Sequence, residues 1–134
     1  MDEELRDLLR EARRRERGQA VYYRRLAGAA EDAGDQDAIE RINELLADEQ
    51  HHLSRVTARL LEMGDTPPEV TPSDEEPSLK GWESEARARE AGEVAFYKAA
   101  LARRLDGKTR EILQEILESE RRHREELGGK WMTA

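Results

Sequence analysis

Two segments of the chain, "DEQHHLSR" at residues 48–55 and "ESERRHRE" at residues 118–125, each place a histidine three positions after a glutamate. In a helix this spacing sets both side chains on one face, one turn apart. The first segment offers two pairings, Asp48 with His51 or Glu49 with His52. Residues seven apart lie close to the same face, so Glu49 goes with Ile42 and Val56, whereas Asp48 goes with Arg41 and Arg55. Glu49 and His52 therefore point inward, and His51 belongs to the surface. Glu120 shares its phase with Leu113 and Leu127, which turns Glu120 and His123 inward in the same way. Two further acids are inward by the same test: Glu16 is in phase with Leu9 and Tyr23, and Glu90 with Tyr97. Ionised carboxylates are not buried without opposite charge, and neutral imidazoles do not supply it. A cation is missing. Two divalent ions bring a charge of about +4, which four carboxylates balance, and each Glu-x-x-His offers one ion an oxygen and a nitrogen. Hard oxygens with two nitrogens and no sulfur favour iron or manganese, with zinc or cobalt able to occupy the site in vitro.

A lone Glu-x-x-His arises by chance on a salt-bridged surface helix. Here the motif occurs twice in matched phase, and the spacings repeat. Glu16 to Glu90 and Tyr23 to Tyr97 are both 74 residues, while Glu49 to Glu120 and His52 to His123 are both 71. The two halves of the chain repeat one chemistry.

Four helices must position these residues. The first is expected from about Glu3 to Ala33, with Leu5, Leu9, Ala12, Glu16, Ala20, Tyr23, Ala27 and Ala30 along one stripe, ended by Gly34. Asp37 is the expected N-cap of the second, which turns Ile39, Ile42, Leu46, Leu53, Val56 and Leu60 inward and stops at Gly64. The segment "DTPPEVTPSDEEPSLKG" holds all four prolines and breaks the helical pattern. A third helix is expected from Ser78 or Trp82 to Leu105, with Ala86, Val94, Tyr97 and Leu101 inward. Asp106-Gly107 turns the chain into a fourth, from about Thr109 to Leu127, with Leu113, Ile116 and Leu117 inward and Gly128-Gly129 at its end.

The linker, about residues 65–81, reaches up to about 56 Å when extended, whereas a helix of about 26 residues spans about 39 Å. It is long enough to cross a whole helical hairpin. Two antiparallel hairpins joined by such a crossover form an all-α, ferritin-like four-helix bundle, and residues 1–134 read as one domain. The same linker is also long enough to exchange a hairpin with a second copy.

The charge and composition agree. Charged residues are 40% of the chain and aromatics 4%, but the apolar residues recur at helical spacing, so long helices rather than disorder are expected. The net charge of −8 argues against nucleic acid as partner. No apolar run is long enough to span a bilayer, and the N-terminal segment lacks the apolar core of a signal peptide, so a cytoplasmic protein without a membrane partner is expected. The absence of cysteine excludes disulfides, thiolate metal sites and cysteine nucleophiles.

A Glu from each of two helices plus Glu-x-x-His from each of the other two is the ligand set of di-iron and di-manganese carboxylate bundles. Taken together, Glu16, Glu49-x-x-His52, Glu90-x-x-Glu93, Glu120-x-x-His123, Tyr23 and Tyr97 resemble the rubrerythrin family within the ferritin-like superfamily. The resemblance spans nearly the whole chain apart from the linker and the last few residues. It implies two iron ions, with manganese as the alternative, and the reduction of hydrogen peroxide or dioxygen. It further implies that Glu49 and Glu120 bridge the metals, that Glu16 and Glu90 are terminal, and that His52 and His123 bind one metal each. Tyr23 and Tyr97 would orient carboxylates, and Glu93 would be an extra ligand exchanged with the second-helix histidine as the iron changes oxidation state. Gln19 stands where Glu93 has its counterpart, a departure from relatives with an extra carboxylate in both halves. Full-length rubrerythrins also carry a rubredoxin domain with four cysteines. This chain has none, so its electrons would come from a separate donor protein.

Two other functions fit the same residues: a ferroxidase or iron-handling protein that oxidises Fe(II), and a metal-free structural or interaction bundle. A homodimer is expected from ferritin-like habit, with hairpins exchanged or not. Tyr22, Phe96, Trp82 and Trp131 read as packing or interface aromatics, and Arg121 and Arg122 as solvent-facing.

Overall fold

Asp2 opens helix α1 (Glu3–Ala33) by accepting a hydrogen bond from the Glu4 N–H at 2.9 Å, and Glu3 and Glu4 place negative charge at the positive end of the helix. These assignments come from a computed structural model that describes residues 2–69 and 71–128. Gly34, at φ 68°, ends α1 in the left-handed conformation that only glycine adopts cheaply, and the Asp35 N–H returns to the Ala30 carbonyl at 3.1 Å. Helix α2 (Gln36–Glu62) follows without a loop. Its N-cap is therefore Asp35, which accepts from the Ala38 N–H at 3.1 Å, and not the expected Asp37. Asp37 already lies in the first turn and pairs instead with Arg41 at 3.0 Å, one turn on.

The buried stripe of α2 is Ala38, Ile42, Leu45, Glu49, His52, Val56 and Leu60. Ile39, Leu46 and Leu53, expected inward, are only half-buried. Alternating steps of four and three from Ala38 to Val56 place Leu45, not Leu46, on the seam, and Ile39, Leu46 and Leu53 flank it. The helix ends at Glu62, two residues before Gly64.

Helix α3 (Trp82–Leu101) begins after Gly81 and stops four residues short of the expected Leu105. The reason is at its end. Arg110, in the first turn of α4 (Gly107–Gly128), donates to the Leu101 carbonyl at 3.0 Å and to the Arg103 carbonyl at 3.1 Å, satisfying carbonyls that a longer helix would have used. Asp106 accepts from the Thr109 N–H at 2.8 Å and from its hydroxyl at 2.9 Å. The two capping aspartates, Asp35 and Asp106, are 71 residues apart, the same offset as the two Glu-x-x-His motifs. Buried on α3 are Trp82, Ala86, Glu90, Glu93, Val94, Tyr97 and Ala100; Leu101 is half-buried, and Ala100 takes the position expected for it.

The fold is thus all-α, four helices with α1 packed on α2 and α3 on α4, and no strand occurs among the described residues. Among the described residues, each hairpin forms its own compact unit, one up to residue 79 and the other from residue 80. The first unit also carries the crossover. Arg10 grips the buried Asp65 with two hydrogen bonds of 2.7 and 2.6 Å, Arg13 donates to the Pro68 carbonyl at 3.0 Å, and Arg25 donates to the carbonyls of Ser73 and Glu75. The linker therefore runs back along α1 by some 15 residues of helix, about 22 Å. No described helix is long and apolar enough to cross a membrane.

Candidate metal centre

In the first hairpin, one carboxylate from α1 and a Glu-x-x-His from α2 meet around one nitrogen. His52 Nδ1 lies 3.3 Å from Glu16 Oε1 and 3.3 Å from Glu49 Oε1. Both glutamates are wholly buried and His52 is 5% exposed. The second hairpin repeats the arrangement: His123 Nδ1 lies 3.5 Å from Glu90 Oε1 and 3.3 Å from Glu120 Oε1, with both acids wholly buried and the histidine 2% exposed. In each hairpin the three side chains offer donor atoms that all lie within 4.8 Å of one another.

The donor sets fit a divalent ion. Two ligands held about 2.1 Å from one metal at an angle near 100° are about 3.2 Å apart, close to the observed nitrogen–oxygen spacings of 3.3 to 3.5 Å. Two carboxylate oxygens and an imidazole nitrogen are hard-to-intermediate donors, suited to iron, manganese or zinc. Without a metal, a proton fills the same place in the first hairpin. Burial alone would lower the His52 pKa, but hydrogen bonding and attraction from Glu16 and Glu49 outweigh it, raising it from 6.5 to about 10. The imidazolium then stands where the cation would, and a metal that binds Nδ1 must displace that proton.

Of the remaining residues singled out by sequence, Tyr23 and Tyr97 are both wholly buried on the ligand-bearing stripes of α1 and α3. Glu93 is buried one turn beyond Glu90 but stands outside the tight group of His123, Glu90 and Glu120. Gln19, its counterpart by offset, is buried one turn beyond Glu16. His51 is exposed, as its phase requires, and Asp48 is half-buried. Arg121 and Arg122 are exposed. Trp131 lies outside the described residues.

One repeated feature lies beside the expected ligand set. Tyr22 meets Tyr23 edge-on with ring centroids 5.2 Å apart, and Phe96 meets Tyr97 in the same way at 5.0 Å. These pairs also share the offset of 74, so the signal was available in the spacing. Each outer ring limits how the inner tyrosine can turn.

The four helices and the buried glutamates and histidines are compatible with a ferritin-like arrangement. No protein-family model matches the chain, and comparison with curated proteins finds no matching relative.

Proposed function

We propose that the chain is a di-iron carboxylate oxidoreductase of the rubrerythrin kind, which reduces hydrogen peroxide or dioxygen with electrons from a separate donor protein. The observation that carries this reading is the duplication of one buried Glu–Glu–His set, one in each hairpin. Burying several carboxylates is costly unless cations accompany them, and a salt-bridging role would be met at far lower cost on the surface. Glu16, Glu49 and His52, together with Glu90, Glu120 and His123, are the residues that would hold the two metals. When bound, a pair of redox-active divalent ions supplies the electrons and the Lewis acidity for cleaving an O–O bond. The chain's own contribution is to bind, orient and shield. The helical backbone sets each Glu and His one turn apart, and burial of the donors keeps bulk water from competing for the metal. Tyr23 and Tyr97, each held by a neighbouring ring, orient a carboxylate through the phenol hydroxyl. With no cysteine, the chain has no thiolate iron site of its own through which electrons could enter.

Protein loaded with Fe(II) without oxygen should contain about two metals per chain. Its oxidised form should show magnetic coupling between them. Mixed rapidly with hydrogen peroxide or with dioxygen, the reduced protein should be oxidised much faster by peroxide. Faster oxidation by dioxygen with accumulation of ferric mineral would favour a ferroxidase, and failure to retain any metal would leave a structural bundle.

A further inference from the structure

The two hairpins repeat a groove as well as a ligand set. In the first, Arg10, Arg13 and Arg14 of α1 face Pro67 and Pro68 of the linker across a small cavity of about 240 Å³. The offset of 74 carries these three positions to Ser84, Arg87 and Ala88, which with Ala91, Arg124 and Glu125 line a groove of about 550 Å³ between α3 and α4. The grip on the opposite helix recurs too. Arg13 donates from Nε to the Thr57 hydroxyl at 3.2 Å, and Arg87 lies against Gly128, the residue 71 beyond Thr57, so closely that a Cβ there would collide with the guanidinium. One difference decides what the second groove can do. Arg13 turns Nη1 to the Pro68 carbonyl at 3.0 Å, whereas Arg87 and Arg124 make no hydrogen bond or ion pair among the described residues.

We propose that the α3–α4 groove binds an extended, acidic, proline-bearing segment of a partner protein, held as the linker is held in the first hairpin. That hairpin supplies the precedent: Arg10 takes the Asp65 carboxylate and Arg13 the Pro68 carbonyl. In the second, Ser84 replaces Arg10, so Arg124 on the facing helix takes the carboxylate while Arg87 takes a carbonyl. Ala88 and Ala91 stand where α1 has Arg14 and Arg17, and these short, exposed side chains leave a methyl floor suited to a proline ring. An extended segment stiffened by proline loses little conformational freedom on docking. A nucleic acid, charged along its whole length, is disfavoured by Glu125 in the groove and by the net charge of −8, whereas a segment with one well-placed carboxylate is not. Ala91 and Arg124 directly follow Glu90 and His123, so the partner rests on the outer side of the turns that carry these residues and needs no metal to bind.

The linker's own sequence is the probe. A dye-labelled peptide DTPPEVTPSDEE, residues 65–76, added to the full-length protein should bind saturably, with amide shifts in nuclear magnetic resonance spectra centred on residues 84–91 and 124–128. Arg87→Ala and Arg124→Ala should each weaken binding at least about tenfold, the worth of a charged hydrogen bond. Ala91→Phe, which fills the floor without altering charge, should abolish it, and Lys98→Ala, on the same helix but outside the groove, should leave it unchanged. Circular dichroism checks each fold, and the exposed Arg87 keeps the test decisive if Ala91→Phe does not fold. Absence of saturable binding, or equal weakening by Lys98→Ala, would overturn the proposal. So would an unliganded dimer that Ala91→Phe dissociates, which assigns the groove to a second copy, or binding that appears only in Trp131→Ala, which assigns it to the chain's own residues beyond Gly128. None of these readouts depends on metal, so the outcome is separate from that of the proposed function.

Discussion

The first hairpin and the second hold their histidines in nearly the same way, yet the connections that join and brace their helices differ. Around His52 and His123 the carboxylate distances agree within 0.2 Å. The turns and their ties do not repeat. The first hairpin turns through Gly34 and is lined by a linker tied down by Arg10, Arg13 and Arg25. The second turns through a longer connection and is stitched by Arg110. The ligand geometry is thus set by helical phase and by antiparallel pairing, which the two hairpins share, rather than by their connections. What differs near the ligands, Gln19 against Glu93, changes charge and not shape.

The largest effect is expected from removing the equivalent α2 and α4 glutamates. Glu49→Ala and Glu120→Ala should each abolish formation of the two-metal centre, measured as metal content after anaerobic loading and gel filtration, with little change in helix content. A large loss from one and none from the other would show that the halves are not chemical equivalents.

The next effect is one of pH on the metal-free protein. His52 is held at about 10 in the folded chain against 6.5 ordinarily, so its contribution to stability is fully present below pH 6.5 and disappears as pH rises through about 10. Thermal midpoints of metal-free protein should fall across that window, and the slope should flatten in His52→Gln. An unchanged slope in the variant would assign the pH dependence to other groups.

A smaller effect separates the hairpins by their ties. The hydrogen bond from Arg10 holds the Asp65 carboxyl below its ordinary 3.8. This contribution is therefore present above that value and lost as pH falls through the lowered one. Asp65→Asn should lower the thermal midpoint at neutral pH and lose its effect in acid, without changing metal content, since the tie is remote from the ligands in sequence and serves only to anchor the linker.

The smallest effects lie in the glycines. Gly34→Ala should cost about 1 kcal/mol in denaturant unfolding, because a side chain there strains the left-handed backbone even though nothing crowds it. Gly18 and Gly92, counterparts at the offset of 74, lie on exposed positions of α1 and α3 with open space around them. Their replacement by alanine should stabilise by about 0.5–1 kcal/mol each, and by similar amounts if the repeat extends to the local helix.

Much of this was legible without coordinates. Helical phase is a local property, so the sequence alone separated Glu49 and His52 from Asp48 and His51, and matched Glu16 with Glu90 and His52 with His123. It also determined the four helices and the proline-rich connection, because apolar periodicity and helix breakers act over a few residues. The tertiary structure decided the rest. Leu45 rather than Leu46 lies on the buried seam, because a seam depends on how α2 is rotated against its partner. The end of α3 at Leu101 depends on Arg110, nine residues on, folding back to take its carbonyls. The convergence of an α1 carboxylate and an α2 imidazole to 3.3 Å depends on the axial register of two helices, and register is set by packing along their whole length, which no local spacing encodes.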